Sequence, residues 1–280
     1  MVRHSFGSSI LGFRKVIFAF FVSMKSALST VQLIALVVCL FSSPYAMSQE
    51  LPQRPLEELI NTEEPGWEVI LQMMEEATNQ VEVLPRNAAQ ADTALYRTQV
   101  TTYSLMGSVV YETGGILVDQ GWIRFLGSGS DRLPRSLPAW NKGKSFEDYG
   151  QAMAFVLFAD DAIGGFFALN GGAFGPRDLG KVFYLSPENL EWAPLGVGYS
   201  DFLYFAFTGD LEDFYRGLRW DGWQEEVAGM QGDQGMGFVP FLWTAHESID
   251  SLSRRPVPIQ ELWELQMDVH QQLMEQAPGR

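Results

Sequence analysis

The chain has 280 residues and carries 34 acidic against 19 basic side chains, a formal net charge of −15. Every Asp and Glu lies beyond residue 48, so that part of the chain repels phosphate backbones and anionic lipid, which makes nucleic acid and a membrane surface poor partners. The single cysteine is Cys39, and with none after it disulfides, a thiolate nucleophile and Cys-ligated metals are excluded from the region that folds.

Residues 1–48 read as a secretory signal peptide. Arg14-Lys15 and Lys25 precede the apolar runs Val16–Val22 and Val31–Phe41, and Ala46-Met47-Ser48 places small residues where a signal peptidase needs them. Cleavage is expected between Ser48 and Gln49. Met24 opens a complete signal by itself and is an alternative start, and an uncleaved anchor over 16–41 is the alternative to cleavage. Valine at position 38 is too large for a lipidation pattern around Cys39. The expected product is an exported, periplasmic chain with no membrane span, residues 49–280 forming a single domain that relies on its core alone.

Thr62-Glu63-Glu64-Pro65 opens the first helix, with Trp67, Ile70, Leu71, Met74, Ala77 and Val81 as its apolar stripe, and Leu84-Pro85 ends it. A second helix is expected from Ala89 to about Met106, with Val109-Val110-Tyr111 at its end or in a strand after it. Ile116–Val118 and Trp122–Leu126 then flank the turn Asp119-Gln120-Gly121, and a long loop follows to Ser145. Alternation puts Trp122, Arg124 and Leu126 on one face of their strand and Ile123 and Phe125 on the other. Ala154–Asp161 and Phe166–Asn170 form a central hairpin around Asp161 to Gly164, and Val182–Leu185 with Leu190–Trp192 form another. Helices are expected over Tyr199–Phe207, after a cap at Asp210, and from about Gly222 to Met230. Phe238–Trp243 reads as an edge strand because of Pro240, and Pro258 starts a C-terminal helix. Helices at both ends around consecutive short strands predict an α+β fold with a mainly antiparallel sheet.

Candidate chemistry is sparse. His246-Glu247 lacks the second histidine of a zinc-protease helix, Gly198-Tyr199-Ser200-Asp201 lacks the glycine that closes a nucleophile elbow, and no glycine-rich stretch leads into a phosphate-binding lysine. No metal, cofactor or catalytic set is assigned. Asp160 and Asp161 are the carboxylates to consider for glycan hydrolysis, although neighbours on one strand point to opposite faces and a turn role suits Asp161 better. A binding surface is the stronger signal. Trp140, Trp220 and Trp223 lie in polar or loop-like contexts, and Trp140 with Arg132, Arg135 and Asn141 in the long loop, plus Asn170 at the end of the central hairpin, are the candidate ligand contacts.

Several blocks together carry a family resemblance. Gly121–Gly129, Phe166–Gly175, Leu190-Glu191-Trp192, Gly198–Phe202, Gly232–Gly235 and Ser253–Pro258 occur in an order that resembles bacterial domain-of-unknown-function family 2625 over roughly Leu56 to Leu273. That family implies no activity and no catalytic residues. The strand followed by Asn170-Gly171-Gly172 is also similar to the SUKH superfamily of α+β domains, which includes toxin-immunity proteins. Three readings follow: an exported binding domain for a protein or cell-envelope ligand, a carboxylate-dependent glycan hydrolase, and an immunity protein.

Overall fold

The structure is a computed structural model and describes residues 52–276; the expected leader and cleavage site lie outside them. It is an α+β fold around a seven-stranded sheet. β1 (Val81–Leu84), β2 (Gly115–Val118), β3 (Ile123–Leu126), β4 (Phe155–Asp161), β5 (Phe166–Asn170), β6 (Val182–Leu185) and β7 (Trp192–Pro194) lie side by side in chain order, each antiparallel to the next. A meander of this kind needs only short turns between strands. The exceptions are the β1–β2 connection, which carries two helices, and the β3–β4 connection, a long loop that carries one short helix.

Before the sheet come α1 (Leu56–Leu59) and α2 (Gly66–Glu75), the latter entered through Pro65 as the sequence predicts. It ends earlier than its apolar stripe implied. Val81 turns away into β1, because Val81–Leu84 find a ladder partner in β2 that a four-residue run cannot announce by itself. The expected helix from Ala89 to Met106 is two. α3 (Ala88–Thr98), capped by the Asn87 side chain, stops at Gln99, which is left-handed at φ 58°. Ser104 then caps α4 (Leu105–Glu112) by accepting from the Gly107 amide. A capping serine satisfies a first-turn donor that a continuous helix would have left no need for. Val109 and Val110 are therefore helical core residues.

The two faces of the sheet are covered differently. Phe125, Phe158, Phe167 and Tyr184 face α6 (Tyr199–Thr208), whose Phe202 ring lies 4.5 Å from Phe167 and 5.8 Å from Phe158. A bulge between Leu157 and Ala159 inserts Phe158 into β4. After α6 come α7 (Leu211–Phe214), with Asp210 as its cap, and α8 (Trp223–Ala228). Arg124, Asp160 and Phe166 are cross-strand partners in succession, so they share the other face. There they meet α5 (Leu137–Asn141), a short helix inside the expected loop, and α9 (Ile259–Gln276). Phe166 contacts Trp140 of α5 at 6.4 Å and Trp263 of α9 at 5.0 Å.

A separate ribbon pairs β8 (Gln234–Val239) with β9 (Ser253–Pro258) and lies beside α9. The Met236 amide donates to the Ala162 carbonyl, tying the ribbon to the β4–β5 turn. Sequence reading placed a strand near Pro240 but not β9, whose Pro256 and Pro258 each remove a ladder donor. The expected edge strand Phe238–Trp243 is not formed as such: β8 begins at Gln234 and ends at Val239, before Pro240, which has no N–H to extend the ladder.

Candidate functional site

The β4 end and the turn after it hold the two buried carboxylates. Asp160 is wholly buried, opposite Arg124 of β3, whose Nε donates to Asp160 Oδ1 at 2.7 Å. Arg135, in the loop before α5, donates from Nη1 to Oδ2 at 2.6 Å. The remaining guanidinium hydrogens reach backbone carbonyls: Arg124 to Asp161 and Gln234, Arg135 to Gly232. One carboxylate thus ties the sheet, the α5 loop and the ribbon together. Burial lowers the Arg135 pKa and Asp160 opposes that. Arg135 also lies over the Trp140 ring at 4.6 Å, and Lys144 Nζ lies 3.9 Å from the same ring centroid. Desolvation, then the nearby Arg135, pull Lys144 down to about 8, with Glu264 acting the other way.

Asp161 points to the opposite face. Its Oδ1 accepts from the Gly165 amide at 2.6 Å and the Ile163 amide at 3.2 Å; its Oδ2 accepts from the Tyr184 hydroxyl at 2.7 Å and the Tyr215 hydroxyl at 3.2 Å. This is the turn role the sequence suggested, extended across three elements. Any side chain at position 165 would collide with Asp161 Oδ2 and the Tyr184 hydroxyl, which explains the second glycine of Gly164-Gly165. Burial raises Asp161 to about 6 despite the hydrogen bonds from Tyr184 and Gly165, and burial beside Asp161 pushes both tyrosines up. The two aspartates therefore do not share a cleft. Each is enclosed on its own side of the sheet.

Of the residues singled out from sequence, the structure brings Arg135 and Trp140 into contact. Arg132 lies on the surface and pairs with Glu82. Asn141 is buried: its amide donates to the Leu137 and Leu157 carbonyls and accepts from the Leu157 amide, joining α5 to β4. Asn170, also buried, organises the segment after β5, donating to the carbonyls of Gly175, Arg177 and Asp178 and accepting from the amides of Gly172 and Phe174. The tryptophans expected on a binding surface are in the core: Trp140, Trp220 and Trp223 are 6%, 2% and 6% exposed. Cations cover them, Arg219 over Trp122 and Trp223 and Arg254 over Trp220, which is why polar neighbours in sequence gave a misleading sign of exposure. The sequence marks Arg124 only as a strand residue; its partner Asp160 is 36 positions away, a distance that no local pattern spans.

Two surfaces remain open. An apolar groove of about 370 Å³ runs between the ribbon and α9, floored by Phe238, Val257, Leu262 and Leu265, with Arg255 and Glu261 at its lips. Val239 and Phe241, which also line it, are 67% and 41% exposed, and Phe241 stacks on Trp243 with ring centroids 4.4 Å apart. A polar cleft of about 610 Å³ lies between α3 and the loop that leads into α5. Among the described residues, no cluster of three or more His, Cys, Asp or Glu side chains is placed to hold a metal ion, and no helix is long and apolar enough to cross a membrane.

The sequence blocks noted above have counterparts in known proteins. The family profile for "Protein of unknown function DUF2625" matches residues 56–262. The chain is 43% identical over 213 residues to the uncharacterized protein YbfG of Escherichia coli (strain K12), covering 76% of this chain and 95% of that protein. It is 44% identical over 187 residues to an uncharacterized protein of Haemophilus influenzae (Rd), covering 67% of this chain and 82% of that protein. No solved structure matches it. By the profile match and by these two relatives, the chain belongs to the DUF2625 family.

Proposed function

We propose that the protein is an exported interaction domain that binds a protein of the cell envelope through the groove between the β8–β9 ribbon and α9. The observation that carries this reading is the groove itself: apolar floor, charged lips, and Val239 and Phe241 left exposed at its end. Contiguous apolar surface rimmed by polar groups is how interaction sites differ from ordinary surface, where apolar residues are scattered singly. The stacked pair Phe241–Trp243 adds a rigid aromatic contact that loses little side-chain entropy on binding. Export rests on the pattern of residues 1–48.

The hydrolase reading fits the geometry less well. A glycosidase needs two carboxyl groups flanking one bond, whereas Asp160 and Asp161 project from opposite faces and all their oxygens are engaged by internal donors. The test is recovery of partners from solubilised envelope with the tagged chain as bait, beside Val239→Glu/Phe241→Ser. We expect the same envelope protein in repeated wild-type samples and its loss with the variant at unchanged melting temperature. A variant that recovers the partner as well as wild type contradicts the groove, and no partner above a bait-free control contradicts the interaction itself.

A further inference from the structure

We infer a second binding site, for a neutral hydroxyl-rich ligand of the carbohydrate class, in the polar cleft between α3 and the loop of residues 128–136. The cleft shares no lining residue with the apolar groove. The cleft's volume, about 610 Å³, falls within the usual range of ligand pockets, on the order of 300–1,000 Å³. Gln90, Thr93 and Arg97 line it from one face of α3, spaced three and four residues apart, and Ser130, Asp131 and Ser136 line it from the loop.

These groups keep hydrogen-bonding capacity that the fold leaves unused. Among the described residues, Arg97 makes no ion pair and its guanidinium rests over the Tyr149 ring at 4.4 Å. Among the described residues, neither the Asp131 carboxylate nor the Gln90 side-chain amide makes a hydrogen bond, although a cation and a carboxylate line the same cleft. The hydroxyls of Ser130 and Ser136 accept from the Leu133 and Ala139 amides and keep their own hydrogens to donate. Thr93 donates to the Ala89 carbonyl and keeps its lone pairs.

The ligand class follows from this inventory. One guanidinium and one carboxylate cancel, so the cleft does not select for net charge. Donor-only, acceptor-only and mixed groups together are met by a partner whose own groups both donate and accept, which is what a run of hydroxyls offers. Pro134, Pro138, Ala89 and Ala139 add small apolar patches of the size a sugar's C–H face covers. The wall is held in place beforehand: Ser128 and Gly129 donate to the Thr113 and Gly114 carbonyls at 2.9 and 3.0 Å, and the Ser130 amide to Leu133 at 2.9 Å. Such preorganisation removes part of the ordering cost of binding.

The experiment is an NMR titration of the isotope-labelled chain with neutral glucose and N-acetylglucosamine oligosaccharides at millimolar concentration, with inorganic phosphate and glycine as charged controls. We expect saturable shifts of the amides of α3 and residues 128–136 with an oligosaccharide. Arg97→Ala and Asp131→Asn, both on exposed side chains, should each weaken binding about tenfold with the amide spectrum otherwise preserved. The inference is overturned if no oligosaccharide shifts these amides, if only phosphate or glycine does, or if both variants bind as wild type does.

Discussion

Replacing Asp160 isolates what joins the sheet to its ribbon. The carboxylate is fully buried between two guanidiniums whose side chains are only 3% and 9% exposed. In Asp160→Ala both cations stay in place, held by the carbonyls of Asp161, Gln234 and Gly232, with no anion left between them. Breaking a buried ion pair by removing one partner costs about 3–5 kcal/mol, mostly the uncompensated charge. With a urea slope of about 2 kcal/mol/M, the midpoint should fall by about 2 M. Asp160→Asn keeps the shape and loses the charge, so it should cost nearly as much as alanine. Urea unfolding followed by tryptophan fluorescence reads both, because Trp140 lies against Arg135. An asparagine variant within about 1 kcal/mol of wild type would refute the argument, since shape and not charge would then hold the junction.

Other predictions concern single groups. Asp161 is raised from an ordinary 3.8 to about 6, so the folded state binds its proton more tightly than the unfolded state does. Its contribution to stability is therefore fully present below pH 3.8, falls as pH rises toward 6 and is then constant, a change of about 3 kcal/mol. The stability difference between wild type and Asp161→Asn, measured by urea unfolding from pH 4 to 7, should follow that curve, and a flat difference would contradict it. Lys144, drawn down to about 8, should be acylated with an apparent pKa near that value, and Glu264→Gln should lower it further; labelling followed by mass spectrometry checks both. Asn170→Ala removes the bonds that organise residues 171–178, so hydrogen exchange should accelerate there while β4 and β6 stay protected, at a cost of about 1–3 kcal/mol.

The sequence made the sheet legible wherever one strand led to the next through a recognisable turn. Asp119-Gln120-Gly121 is left-handed throughout, and Asp161 with Gly164 and Gly165 forms the hairpin turn its residue types suggested. What stayed hidden depends on distant pairing. β1 is four residues whose only claim to be a strand is β2, and β9 carries two prolines and pairs solely with β8. The same limit applies to the sites. The contact of Arg135 with Trp140 was within reach because both belong to one loop, but their link through Asp160 to Arg124 depends on β3–β4 register. The groove combines a ribbon and a helix whose exposed sides no residue pattern distinguishes, and the cleft owes its shape to α5, hidden in an expected loop.

The interaction proposal is tested most directly by photo-crosslinking in the envelope of the producing cell, with a photoreactive side chain at position 239 or 241, and at 103 as a control. Tyr103 is also exposed, at 60%, and lies just before α4, outside the groove lining. One recurrent protein adduct is expected from positions 239 and 241 and none from 103. Equal adducts from all three positions, or none from 239 and 241, would contradict it.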